Sequence, residues 1–216
     1  MTGDPNLDPY RDAVARRGAG DFHVTLWSSE YSQQLRFDVF TQICPLAGTR
    51  ILDAGCSRGD FAAYLIERQI EFEHYVGIDA LEDVIQHTRQ RNLPRCEFHC
   101  GNFVTDPAQL AIGDPEVICI SGALNTMRTR ELIRVLDAAW ASTSQSLLFN
   151  FLSDRCKNRA GRNQYPARRH NTIKLLDWAL RQTTAVRFRQ DYFPAGHDAT
   201  ILMSREQSAV SKIKLD

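Results

Sequence analysis

One stretch limits the possible folds more than any other: Arg50-Ile51-Leu52-Asp53-Ala54-Gly55-Cys56-Ser57-Arg58-Gly59-Asp60-Phe61. The apolar pair Ile51 and Leu52 runs into an acid, Asp53. Gly55 and Gly59 follow, four apart, and then an apolar-periodic segment begins with Phe61, Ala62, Leu65 and Ile66. The pattern reads as strand, tight glycine turn and helix start. Glycine has no Cβ, so a ligand can approach the backbone of such a turn closely. The first turn of the helix also carries N–H groups with no partner inside the helix.

From residue 50 onward, strand-like and helix-like segments alternate. Strands are expected at 50–54, 74–79, about 95–100, 116–120 and 146–151, and helices at about 60–69, 81–91, 129–142 and 172–182. The strands at 50–54 and 116–120 are near-continuous apolar runs, as in parallel strands covered on both faces. Alternation of this kind implies an α/β, doubly wound, mostly parallel sheet. The tail differs: 185–190 and 200–204 are strand-like with only the turn around Pro194-Ala195-Gly196 between them. With no helix to carry a crossover, these two must pair antiparallel.

Ahead of the sheet, Ser28 or Ser29 is placed to cap a helix reaching about Ile43, with a stripe of Tyr31, Leu35, Val39 and Ile43. Residues 1–20, with their prolines and glycines, read as an arm with one helical turn around Tyr10–Arg17. The expected organisation is residues 1–48 as arm and N-terminal helical extension, a lid over the site. Residues 49–206 form the binding domain, and 207–216 a frayed tail.

Composition excludes several function classes. With 26 basic and 26 acidic residues the formal net charge is zero, which argues against broad phosphate contact with nucleic acid. The six cysteines form no CxxC pair and lack zinc-ligand spacing. They read as reduced thiols of a cytoplasmic protein, with no metal site. The N-terminus has no signal-peptide pattern, and no apolar run approaches the roughly 18 residues of a membrane span.

The candidate site follows from the strand ends. Asp79 closes the second strand 20 residues after Gly59. A carboxylate there takes ribose hydroxyls in nucleotide-binding α/β domains, or else it caps the next helix. After the third strand come Gly101, Asn102 and Phe103. The amide of Asn102 suits an adenine edge and the ring of Phe103 its face, although Gly-Asn is also an ordinary turn pair. Ser121 and Asn125 follow the fourth strand, where small residues leave room for a ligand.

Together these motifs resemble the class I S-adenosylmethionine-dependent methyltransferases over about residues 50–204. Leu52-Asp53-Ala54-Gly55-Cys56-Ser57-Arg58-Gly59 is similar to the family's first motif, L-D-x-G-C-G-x-G, with Ser57 where glycine is usual. Val76-Gly77-Ile78-Asp79 resembles the second motif, whose acid binds ribose. Gly101-Asn102-Phe103 resembles the third, where Asp is commoner than Asn. The resemblance implies a seven-stranded sheet of order 3-2-1-4-5-7-6 with an antiparallel last strand. It also implies S-adenosylmethionine as cofactor, bound by Asp53, Gly55, Cys56, Gly59, Asp79, Asn102, Phe103 and Ser121. Asp53 either receives the cofactor's ammonium or braces the turn. A nicotinamide enzyme fits less well: G-x-G-x-x-G would need glycine at 57 and 60, where the chain has Ser57 and Asp60.

On the acceptor side the expected candidates are Tyr31, Arg36, Asn125, Tyr192 and His197. His197 is read as a base oriented by Asp198, as a substrate contact, or as an exposed turn residue. Arg36 is read as a partner of the cofactor's carboxylate or as part of a solvated face. The segment 155–170 holds Arg155, Lys157, Arg159, Arg162, Arg168 and Arg169 with no acid between them. It is either a solvated loop or a contact for an acidic substrate, a phosphate or RNA. The expected activity is methyl transfer to a small molecule. The alternatives are an RNA or protein methyltransferase and a non-catalytic cofactor-binding protein.

Overall fold

The computed structural model describes residues 4–157 and 165–205. Arg159, Arg162 and the tail expected to fray lie outside the described residues. One seven-stranded sheet organises the molecule. In chain order its strands are β1 (Arg50–Ala54), β2 (His74–Asp79), β3 (Cys96–Cys100), β4 (Val117–Ile120), β5 (Ser146–Leu152), β6 (Val186–Arg189) and β7 (Asp198–Ser204). The spatial order is β3-β2-β1-β4-β5-β7-β6, as the resemblance implies. Five strands are parallel, and β7 runs antiparallel to both β5 and β6. All parallel strands therefore end on one edge, where the first two finish in Asp53-Ala54 and Asp79.

The helices are α1 (Asp8–Arg17), α2 (Glu30–Ile43), α3 (Asp60–Glu67), α4 (Glu82–Gln90), α5 (Thr129–Ser142) and α6 (Thr172–Gln182). The strand period of two separates the core into two layers. On one face Leu52, Val76, Ile118, Leu147 and Phe149 meet Leu132 and Leu136 of α5 and Leu175 of α6. On the other, Ile51, Tyr75, Val117 and Leu148 meet Phe37 and Phe40 of α2 and Phe61 and Leu65 of α3. The inner parallel strands β1, β2, β4 and β5 are buried on both sides, whereas the edge strand β3 buries only Phe98.

Three elements differ from the sequence expectation. In α2 the expected stripe holds at Val39 and Ile43 but not at Tyr31, which is 74% exposed, and the inward face also carries Gln33, Arg36, Phe37 and Phe40. A column stepping by four residues drifts off a 3.6-residue helix, and the two phenylalanines fix which side turns in. Ser29 caps α2, its hydroxyl accepting from the Ser32 N–H at 3.2 Å. In α6 the sequence pattern predicts a core stripe of Ile173, Leu176, Ala179 and Leu180; Ala179 is buried as expected, but Ile173 and Leu180 are exposed and Thr172 and Leu175 are buried instead. The arm forms ten-residue α1 rather than a single turn, with Pro9 at its start and Pro9 and Ala13 buried. It is followed by a 3₁₀ turn at Phe22–Thr25.

Candidate active site

The glycine turn after β1 is held by the chain itself. Gly55 and Cys56 both donate to the Ile78 carbonyl, at 2.8 and 3.0 Å, and Gly59 donates to the Cys56 carbonyl at 2.9 Å. The Ser57 N–H donates to Asp79 Oδ2 at 3.0 Å. Four N–H groups that a phosphate would need are thus already engaged, which removes the turn as an anion cradle. Gly55 has φ +86°, and a Cβ there would lie 2.6 Å from Ala123 Cβ, so glycine keeps the gap between the β1 and β4 loops open. Gly59, expected to contact the cofactor, instead faces inward. A Cβ on it would meet Thr88 and Phe98 at 2.9–3.0 Å, so its bareness serves helix–sheet packing. Ser57 stands in the left-handed region at φ +47°, where the family pattern has glycine.

A crevice enclosing about 890 Å³ of empty space, its mouth included, opens at these strand ends. Asp53, Gly55, Cys56, Asp79, Asn102, Phe103 and Ser121 all line it. Asp79 accepts from Leu81 N–H at 3.0 Å on its other oxygen, so it braces the entry to α4, and it also lines the crevice. Each oxygen keeps acceptor capacity for a hydroxyl. Burial pushes its carboxyl above the usual range, against the pull of those N–H groups. Asp53 is 3% exposed. Its Oδ2 accepts from Tyr75 OH at 2.6 Å, and its Oδ1 is buried with no partner. Desolvation, with Asp79 and Asp60 nearby, raises its pKa to about 7.

Asn102 is already engaged. Its Oδ1 accepts from Val104 N–H at 2.9 Å, and its Nδ2 donates to Asp4 Oδ2 at 3.1 Å. The N-terminal segment is thereby tied across the crevice mouth, where Asp4, Asn6, Leu7, Tyr10, Thr25 and Trp27 complete the wall. Asn6 Nδ2 is a second buried polar atom without a partner. Sequence reasoning missed Asp4, Asn6, Tyr10 and Thr25, because no local pattern marks a polar arm that docks about a hundred residues away. Burial lifts the Tyr10 phenol to about 12, with a Thr126 hydrogen bond opposing.

Beyond Tyr10, Thr25, Trp27, Gly122 and Thr126, which both spaces share, lies a second cavity. It encloses about 930 Å³, mouth included. Arg36, Asn125, Arg169 and His197 line it, with Leu26, Leu152, Pro166 and Ala167 as apolar wall. Trp27 presses on Gly122, where any Cβ would collide with the indole.

Several acceptor-side expectations are corrected here. Arg36 is neither a solvated residue nor a cofactor contact. It is 4% exposed, donates to Asp198 Oδ2 at 2.9 and 2.5 Å, and lies between the rings of Trp27 (4.0 Å) and Phe193 (4.7 Å). Asp198 is fully buried and answers Arg36 and Tyr192 rather than orienting His197. Tyr192 donates to Asp198 Oδ1 at 2.6 Å, so its hydroxyl is held inside the wall. Tyr31 points to solvent, away from both cavities. Asn125 does line the cavity, with its Oδ1 accepting from Leu152 N–H at 2.9 Å.

His197 stacks on Phe193 at 4.4 Å. Burial and the charges of Arg36 and Arg169 lower its pKa, with Asp198 opposing. Of the basic segment, Arg169 turns in and donates to the carbonyls of Ser153 and His197 at 2.9 and 3.1 Å, while Tyr165 is exposed. Among the described residues no group of His, Cys, Asp and Glu is placed to hold a metal, and no helix is long and apolar enough to cross a membrane.

A sheet of this order, with acids closing adjacent strands beside a glycine turn, defines the fold of class I methyltransferases. Residues 51–145 match the family model described as a methyltransferase domain. That match covers less than half of the chain, and the sheet around it has the fold of class I methyltransferases. Solved structures agree at low identity. Magnesium protoporphyrin IX methyltransferase from Synechocystis PCC 6803 superposes with a TM-score of 0.66 at 14% identity, over 93% of this chain and 99% of that one. Phosphoethanolamine N-methyltransferase 1 from Haemonchus contortus gives 0.68 at 14%, over 98% of this chain. This chain spans only 51% of that enzyme's length. The methyltransferase domain of bacterial CtHen1 gives 0.61 at 15%, over 80% of this chain and 98% of that one. Comparison with curated proteins gives no match.

Proposed function

We propose that this enzyme moves the methyl group of S-adenosylmethionine to a small-molecule acceptor held in the second cavity. The observation that carries the reading is the pair of cavities meeting at Trp27 and Gly122, one of them ending in the unpartnered Oδ1 of Asp53. The residues present fit the cofactor. Asp79 would accept from the ribose hydroxyls, Asn102 and Phe103 would border the base, and Asp53 Oδ1 would receive the amino group. Structural neighbours solved with S-adenosylmethionine or S-adenosylhomocysteine support that identity.

When bound, the cofactor supplies an activated methyl, which leaves its sulfur without the sulfur–carbon electron pair while the acceptor provides the new bond. The chain's share is alignment and exclusion of water. Trp27 and Gly122 bound the passage between the cavities. His197, held neutral near pH 7 by its surroundings, would take a proton from an acceptor that has one to lose. Residues 4–48 act as a cover, since Asp4, Tyr10 and Trp27 lie across the mouth and must move for exchange. The six unpaired cysteines fit a reducing compartment, the cytoplasm.

The make-up of the second cavity supports a small acceptor: Leu26, Leu152, Pro166 and Ala167 form an apolar wall with a few polar groups among them. A second reading, an RNA acceptor, is favoured by Arg155 and Lys157, which share a segment with the cavity-lining Pro166 and Ala167. Calorimetry with S-adenosylhomocysteine, followed by methyl transfer to small molecules and to RNA at moderate salt, tests both. Binding with turnover on small molecules alone is the expected result. Cofactor binding without turnover on any acceptor would point to the non-catalytic alternative.

A further inference from the structure

The N-terminal segment brings two polar side chains, Asp4 and Asn6, to the wall of the first crevice. Asp4 is bonded to Asn102, which together with Phe103 borders the base in the reading above, so it stands at the base end of the proposed donor. Resting on that reading, we infer that Asp4 and Asn6 recognise the donor's base: the Asp4 carboxylate accepts from the exocyclic amino group of adenine, and the Asn6 amide donates to a neighbouring ring nitrogen.

The loop after β3 is less suited to the amino group than Asp4 is. An amino group needs an acceptor, and Asn102 Oδ1 already accepts from Val104 N–H at 2.9 Å, while its Nδ2 donates to Asp4 Oδ2 at 3.1 Å. Asp4 Oδ1 accepts from Asn6 N–H at 3.0 Å. Each Asp4 oxygen thus meets one N–H, and each keeps acceptor capacity for another donor. A bond to a carboxylate is also stronger than one to an amide oxygen. The two N–H groups fix the carboxylate from two sides, one from the loop after β3 and one from the N-terminal segment itself.

Asn6 supplies the complement. Its Nδ2 is buried and has no partner among the described residues. A buried N–H without an acceptor is costly, so a ligand that brings one is favoured. Adenine carries its amino donor beside ring-nitrogen acceptors. A carboxylate and an amide two residues apart match that pairing. Leu7 and Phe103, also in the lining, have no side-chain hydrogen-bonding group with which to choose between bases. Hypoxanthine has a carbonyl oxygen where adenine has its amino group, and it would set acceptor against acceptor at Asp4.

The test is calorimetry on the full chain with two probes, S-adenosylhomocysteine and S-inosylhomocysteine, which differ in the base alone. The wild-type chain should prefer the adenine probe by about tenfold or more. Asp4→Asn keeps an oxygen for the Asn102 amide and gains an N–H for the hypoxanthine carbonyl. It should weaken the adenine probe, strengthen the hypoxanthine probe and bring the two affinities close together. Asp4→Ala and Asn6→Ala should each weaken the adenine probe and narrow the preference. Asp79→Ala should weaken both probes by one common factor, since the ribose is the same in each. If Asp4 only anchored the N-terminal segment, its variants would weaken both probes equally and leave their ratio unchanged. That result, wild-type affinities in Asp4→Asn, or equal binding of both probes by the wild-type chain overturns the inference while leaving cofactor binding intact. Failure of the wild-type chain to bind S-adenosylhomocysteine overturns the reading on which it rests.

Discussion

The two cavities are built by different means. The first crevice, proposed for the donor, is made where parallel strands stop: Asp53 and Asp79 are fixed by sheet register, with Asp53↔Gly77 paired across β1 and β2. The second cavity, proposed for the acceptor, is made from pieces far apart in the chain. Arg36 and Asp198 lie 162 residues apart, and Trp27 comes from the N-terminal segment. A ligand shared by a whole class can be served by the sheet itself. A ligand particular to one enzyme needs loops and added helices, which can vary without disturbing the sheet.

The comparison can be broken most violently at the acceptor wall. Arg36→Met leaves the buried Asp198 without its counter-charge, and we expect a loss of about 3–5 kcal/mol in denaturant unfolding. Arg36→Met with Asp198→Leu should recover most of it. On the donor side, Asp79→Ala should weaken S-adenosylhomocysteine binding by about 1–3 kcal/mol in calorimetry, by removing charged hydrogen bonds.

A pH series sharpens the contrast. Asp53 is protonated over most of the range below its raised value of about 7. An ammonium prefers the ionised form, so affinity for S-adenosylhomocysteine should climb from pH 5.5 to about 7 and then level, by at most tenfold per unit. Binding should release protons over that window, and Asp53→Asn should flatten the profile. Stability has the opposite sign. A carboxyl raised from 3.8 to about 7 binds its proton more tightly in the folded chain. Its contribution is therefore largest at low pH and is lost as pH rises from about 4 to about 7. Asp53→Asn should remove that slope in urea titrations.

The smallest effect is expected at the boundary. Gly122 has φ +81°, and any Cβ there collides with Trp27. Gly122→Ala should lower stability by about 1 kcal/mol or slightly more and quench or shift Trp27 fluorescence. Both cavities touch this residue, so both affinities should fall modestly and together.

Much of the donor side was legible in the sequence because its signals are local. The run of β1 into Gly55, Asp79 at the end of β2 and Asn102-Phe103 after β3 follow one another in fixed order, and sheet topology brings them together. Gly59 shows the limit: the same motif marks a ligand glycine and a packing glycine, and only Thr88 and Phe98 tell them apart. The acceptor side was less legible. Arg36 looked like a helix-surface residue because its partner Asp198 is distant in sequence, and α2 presents a face chosen by Phe37 and Phe40. His197 and Asp198 are adjacent, yet alternate residues of an extended strand face opposite ways, so they do not form a pair. The arm gave no apolar stripe, and its place is set by Asp4 meeting Asn102.

The central claim, an acid-lined crevice proposed for the donor beside a separate cavity proposed for the acceptor, is tested most directly by a crystal structure grown with S-adenosylhomocysteine. The expected result has the ribose hydroxyls on Asp79, the amino group on Asp53 Oδ1 and the sulfur facing Trp27 and Gly122. A ligand lying among Arg36, Arg169 and His197, or a crevice at Asp53 and Asp79 that stays empty at saturating concentration, would contradict it.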